Sequence, residues 1–298
     1  MSLLPVLGTV FGLAAGAGTA ALYGLTVKAQ RPRLVPNEIE PSVPFERVEW
    51  TSEGKKVKGW FMSRSASAAS PMPGPVIIVA HGWGSNRSRV LRYALPLYEE
   101  GYSILMYDAR SHGESDVFKT PSGLQFRDDL LAALGWLHAR PETDPARIGV
   151  LGHSLGGFGA VLALDAQAPI AALVTDSMPV RFETMIEAEL KRHKLPKFPL
   201  AQIIPQVMLW RSGIPRSFMK RANPAAILQN NKKSGKVPVL LVHSVRDGFI
   251  PPSELNHVLS RIPDLPHLFV DVEGHSASEQ DPAFWPAVLS FFRTHIKK

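Results

Sequence analysis

Cysteine is absent from the 298-residue chain, which excludes a disulfide scaffold, a thiolate-bound zinc and a thiol nucleophile. Charge is sparse as well: charged residues make up 20% against 45% apolar ones, a balance unlike that of disordered chains. No internal repeat recurs, so a solenoid or propeller is not indicated. No HExxH or comparable spacing would gather metal ligands, and no cofactor motif is found. What remains is enough chain for one large α/β domain or two small ones, with a sizeable core.

Charge of one sign is concentrated rather than spread. Between Arg181 and Lys236 there are 12 Lys+Arg and 3 Asp+Glu, a local balance of +9 within a net charge of +7. The rest of the chain therefore carries a balance of −2. No DNA- or RNA-binding motif accompanies the basic stretch, so nucleic acid is not the expected partner. A solvated helical face or an anionic membrane surface fits better.

Leu3 to Val27 contains no charged side chain. As a helix it would reach about 37 Å, enough to cross a hydrocarbon core of ~30 Å with some tilt. Lys28, Arg31 and Arg33 follow, which favours a retained anchor with the domain behind it in the cytoplasm. A secretory signal cut after Ala29 is the alternative. Gly8, Gly12, Gly16, Ala20 and Gly24 recur every four residues, so one flank of such a helix is smooth enough for a second helix to approach. Residues 1–36 are thus expected to be anchor and proline-stiffened linker, and 37–298 one folded domain.

Phe45–Trp50 and Lys55–Met62 alternate like two antiparallel strands around Glu53-Gly54. Then come short apolar runs at Val76–Ala80, Ile104–Tyr107, Ile148–Leu151, Leu173–Thr175, Val239–Val242 and Leu268–Val270. Each is too short for a helix and reads as a strand covered on both faces. Arg87–Glu99, Leu124–Arg140, Leu155–Ala166, Pro252–Arg261 and Ala283–Ile296 are the expected helices between and after them. The alternation predicts a doubly wound, mostly parallel α/β sheet, whose ligand site lies beyond the carboxyl ends of the strands.

The residues at those strand ends carry the chemistry. Gly152-His153-Ser154-Leu155-Gly156 follows an apolar strand and opens a helix rich in small residues. Such glycines permit a sharp strand-to-helix turn that presents the Ser154 hydroxyl. In this context the chain resembles the α/β-hydrolase superfamily from about Phe45 to its C-terminus. The resemblance implies one half of an oxyanion hole at His81-Gly82-Trp83-Gly84, with the backbone N–H of Trp83 paired to that of Leu155. It implies the acid at Asp247, in Val242-His243-Ser244-Val245-Arg246-Asp247, with Asp176 as the alternative one strand earlier. It implies the base at His275, in Glu273-Gly274-His275-Ser276. Asp108 and Arg110 are read as ties between loops beneath the site.

In the same resemblance, residues 178–236 fall where a helical cap is inserted. Their apolar residues, from Phe182 to Met219, are expected to shape an acyl pocket or to glue the cap to the core. The expected activity is hydrolysis of carboxylic esters, apolar or lipid-like, through an acyl-enzyme without a cofactor. The alternatives are a peptidase or thioesterase on the same fold, and an inactive membrane-tethered binding protein. Self-association through the small-residue flank is a further expectation.

Overall fold

The computed structural model describes residues 20, 22–64, 72–215, 217 and 222–296. Eight strands form one sheet in the order β1-β2-β4-β3-β5-β6-β7-β8. They are β1 (Glu46–Ser52), β2 (Lys55–Met62), β3 (Gly74–Ala80), β4 (Ser103–Asp108), β5 (Thr143–His153), β6 (Ala172–Asp176), β7 (Val239–Arg246) and β8 (His267–Glu273). The β1–β2 hairpin pairs antiparallel, and β2 joins β4 antiparallel. From β4 through β8 every pairing is parallel. The fold is the doubly wound α/β arrangement.

The helices are α1 (residues 22–29), α2 (Leu91–Glu99), α3 (Gly123–His138), α4 (Leu155–Asp165), α5 (Phe182–Arg192), α6 (Leu200–Ser212), α7 (Pro224–Ser234), α8 (Ser253–Leu259) and α9 (Phe284–His295). Strand β3 explains why its sequence lacks alternation. Val76, Ile78 and Ala80 enter one core cluster, with Phe126 and Leu130 of α3 and Val161 of α4. Ile77 and Val79 enter the other, with Tyr93 of α2 and Val288 and Phe292 of α9. Successive side chains point to opposite faces, so a strand covered on both sides must be apolar throughout.

Helices α5 and α6 form a cap with its own small apolar cluster of Ile186, Leu190, Ala201 and Ile204. The cap is clamped to the body by Glu254 of α8. That buried carboxylate accepts from the backbone N–H groups of Val180 and Arg181, at 2.8 and 2.7 Å, from the Arg181 guanidinium and from Thr184.

The expected membrane anchor lies mostly outside the described residues, as do Gly8, Gly12, Gly16, Phe218 and Met219. Among the described residues no helix is long and apolar enough to cross a membrane. Ala20 and Gly24 are exposed, and among the described residues nothing stands within 4 Å of where a Cβ on Gly24 would be. The stretch read as a linker is tied to the body: Asn86 donates to the carbonyls of Val35 and Pro36, and Asn37 donates to Asp108.

Candidate active site

Strand β5 runs into α4 through Ser154, whose backbone sits at φ 52° and ψ −121°. That conformation is costly for a residue with a Cβ and is kept only where the surroundings enforce it. Here the enforcement is close packing without side chains. A Cβ on Gly156 would lie 2.3 Å from the carbonyl oxygen of Ala80, and one on Gly82 would lie 2.8 Å from the Ser154 Cβ. The bend therefore presses directly against the end of β3, and any larger residue at either glycine would push the two strands' ends apart.

Three side chains converge at the bend. Ser154 Oγ lies 2.9 Å from His275 Nε2, and His275 Nδ1 lies 2.7 Å from an Asp247 carboxylate oxygen. A carboxylate only accepts, so the proton sits on Nδ1 and Nε2 is left to accept from the serine hydroxyl. Asp247 follows β7 and His275 follows β8, so their meeting requires the parallel order of the sheet's last strands. Burial works to raise the Asp247 carboxyl. The hydrogen bond and charge of His275, with backbone N–H groups from Phe249 and Ile250, more than offset this and hold it below its ordinary value.

Asp176, the alternative acid, is engaged elsewhere. It accepts from the Tyr93 hydroxyl at 2.6 Å and from His153 Nδ1 at 3.1 Å. His153 Nε2 in turn stands 3.1 Å from Ser276 Oγ. A second Asp–His–Ser chain therefore lies beside the first, the two imidazole centroids 4.9 Å apart. Burial lowers His153 to about 4 against the partial support of Asp176, so it is neutral near pH 7. Burial alone would raise Asp176, but its hydrogen bonds, led by that from His153, hold it at about 2. This second chain has no signature in the sequence, because its members lie at 93, 153, 176 and 276 without any local spacing.

Trp83 and Leu155 both line the cavity that opens at Ser154. The loop bearing Trp83 is braced from behind: His81 Nε2 accepts from the backbone N–H of Ala109, and the His112 ring packs edge-on to Trp83. Below the site, buried Asp108 pairs with Arg87 at 2.7 Å, and buried Arg110 pairs with Asp129 at 2.5 Å and Glu53 at 2.7 Å. These pairs tie loops together and do not reach Ser154.

The cavity has a volume of about 980 Å³, counting its open mouth. Its walls are mainly apolar: Phe158 and Leu162 from the body, and Phe182, Met185, Ile186, Met208 and Leu209 from the cap. Of the remaining cap residues, Leu190 and Ile204 are buried within the cap, whereas Phe198 and Trp210 are exposed. Among the described residues, no group of three or more His, Asp or Glu side chains could hold a metal ion.

Residues 71–212 match the family described as Hydrolase_4, "Serine aminopeptidase, S33". An uncharacterized protein of Mycobacterium tuberculosis is 35% identical over 127 residues, which cover 43% of this chain and 43% of the relative. The matched region is thus less than half the length of that relative. The uncharacterized protein YfhR of Escherichia coli is 28% identical over 251 residues, 79% of this chain and 78% of the relative. Among solved structures, an esterase of Pyrococcus furiosus superposes with a TM-score of 0.68 at 26% identity, covering 89% of this chain and 97% of that one. The match over residues 71–212 and the structural neighbour are likenesses to α/β-hydrolases, in keeping with the eight-stranded, mostly parallel sheet, and they support a hydrolase on that fold.

Proposed function

We propose that the chain hydrolyses carboxylic esters with apolar acyl groups, using Ser154 as nucleophile, His275 as general base and Asp247 as its orienting acid. The observation that carries this reading is the continuous Ser154–His275–Asp247 hydrogen-bond chain at the floor of an apolar cavity. A free serine hydroxyl is a weak nucleophile near neutral pH. As it attacks the ester carbonyl, its proton passes to His275 Nε2, and Asp247 stabilises the imidazolium. The backbone N–H groups of Trp83 and Leu155 receive the oxyanion, each donor worth about 3 kcal/mol in such sites. His275 then returns the proton to the leaving alcohol, and water repeats the sequence on the acyl-enzyme.

The family description favours a second reading, cleavage of an N-terminal peptide bond. An aminopeptidase holds the substrate's ammonium with a free carboxylate. Among the described lining residues the one carboxylate is Glu189, and it is already shared between Arg192 and His193 at 3.6 Å each. The wall composition therefore favours the ester. An apolar or lipid-like substrate also suits the cap's outer surface, where Phe198 and Trp210 stand exposed within the stretch of +9 balance.

A panel of activated esters of increasing acyl length, run beside aminoacyl amides and acyl thioesters, tests the reading. Ester hydrolysis that Ser154→Ala abolishes, together with loss of labelling by a serine-directed organophosphonate, is the expected result. Turnover confined to the amides would transfer the protein to the peptidase reading.

A further inference from the structure

The cavity wall contains two residues that belong neither to the body nor to the cap. Ala29 and Gln30, at the end of α1, line it together with Met208 and Ser212 of α6. Gln30 is buried, and a buried amide in an apolar wall is costly unless its donors and acceptor are all occupied. They are occupied by one cap helix. Gln30 Nε2 donates to Ser212 Oγ at 3.1 Å and to the Met208 carbonyl at 3.4 Å, while Gln30 Oε1 accepts from the Arg211 guanidinium.

Two further contacts join the same partners. Leu22 packs against the cap's apolar cluster, and the Arg211 guanidinium lies 5.3 Å from the ring centroid of Tyr23. Apolar burial, ring stacking and hydrogen bonding thus all attach α1 to α6. The helix is thus attached to the cap at both ends, through Leu22 and Tyr23 at its start and Gln30 at its close, and Ala29 and Gln30 line the cavity that reaches Ser154.

From this geometry we infer that α1 is a working wall of the acyl site, and that Ala29 and Gln30 touch the chains of medium and long straight acyl groups. The inference rests on Ser154 being the nucleophile of an acyl-transfer site. A short acyl group is held by residues beside the nucleophile, such as Trp83, Leu155 and Phe158. A longer one must continue along the surface made by α6 and the end of α1. Each methylene buried there contributes about fourfold to kcat/KM, so loss of a few methylenes' worth of contact changes the profile by tenfold or more.

The test uses the full chain and the ratio of kcat/KM for p-nitrophenyl decanoate to that for the acetate. Ala29→Trp, which fills the wall, and Gln30→Ala, which unpins it from α6, are each expected to lower that ratio at least tenfold. Lys28→Trp places the same bulk on an exposed position of α1 that does not line the cavity, and is expected to leave the ratio within twofold. An unchanged ratio in both wall variants, or an equal fall in the Lys28 variant, overturns the inference. The same ratio is read independently from the labelling rates of short- and long-chain alkyl fluorophosphonates, which need the nucleophile but no ester turnover. Chain-length-selective labelling that the wall variants abolish, in a protein that turns over amides alone, would sustain the wall and dismiss the esterase reading. Absence of all labelling would dismiss both.

Discussion

At the scale of single residues, two carboxylates compete for the role of orienting acid, and the structure gives them different partners. Asp247 accepts from His275, whereas Asp176 accepts from Tyr93 and His153. Asp247→Asn is therefore expected to lower kcat by about 10³–10⁴, because an amide in that place favours the wrong imidazole tautomer. Asp176→Asn breaks a buried network instead. It is expected to destabilise the protein by about 2–4 kcal/mol in urea titrations while lowering kcat tenfold at most. If Asp176→Asn proved the more damaging to turnover at a temperature where both variants stay folded, the assignment of the acid would reverse. That Ser154, Asp247 and His275 would fall at the ends of strands was legible in the sequence, because each follows an apolar run, and the resemblance then singled them out as candidates for one site. The neighbouring Asp176–His153–Ser276 chain was not legible, since a hydrogen bond between distant segments leaves no periodic trace.

At the scale of elements, the central strands could be read because their burial on both faces requires unbroken apolar runs. Their ends could not. Strand β5 covers Thr143–His153, although its apolar signal spans Ile148–Leu151, because Thr143 pairs with Gly74 across an irregularity in the register, and Gly152 and His153 pair with Thr175 and Asp176 beyond the apolar run. The region expected to form the start of the first long helix is a short 3-10 turn, Ser88–Val90, before α2 begins at Leu91. In the cap, prolines and basic residues obscure the helical period of α5 and α6; α7 is equally hard to read from sequence, but it packs on the body through Ala225, Ile227 and Leu228. What attaches the cap is also a long-range feature, the Glu254 clamp. Burial opposes ionisation of Glu254, but the N–H groups of Arg181 and Val180 and the Arg181 side chain outweigh it and keep the carboxyl below its ordinary value. Glu254→Gln keeps the volume but offers an amide to donors that need a carboxylate. A loss of about 1–3 kcal/mol is expected, with faster amide exchange across residues 180–186. Unchanged exchange there would mean that the cap is held by apolar contact alone.

At the scale of the whole molecule, the histidines couple stability to acidity. His81, His112 and His153 are buried, and burial lowers them to about 4, about 3 and about 4. Their packing explains why no charge is tolerated: His81 and His112 lie 5.1 Å apart by ring centroid and share the edge of Phe126, and His153 lies between Tyr93 and His275. The unfolded chain titrates these groups near 6.5. Above that value both states are neutral, and the three groups impose no penalty. As the pH falls through 6.5 the unfolded state binds protons that the folded state refuses, so folding stability is lost until the folded values near 4 are reached. At pH 5 the loss is about 2 kcal/mol for each group, which together is comparable with the whole stability of many domains. Asp108 and Asp129 act in the opposite sense, because burial raises both carboxyls despite their guanidinium partners, and they return part of that loss at lower pH. Thermal unfolding followed from pH 7.5 to pH 5 should accordingly show the melting temperature falling most steeply below pH 6.5, well above the ordinary carboxylate range. A melting temperature that stayed level across that interval would mean that these three imidazoles take up protons inside the fold as readily as they do outside it.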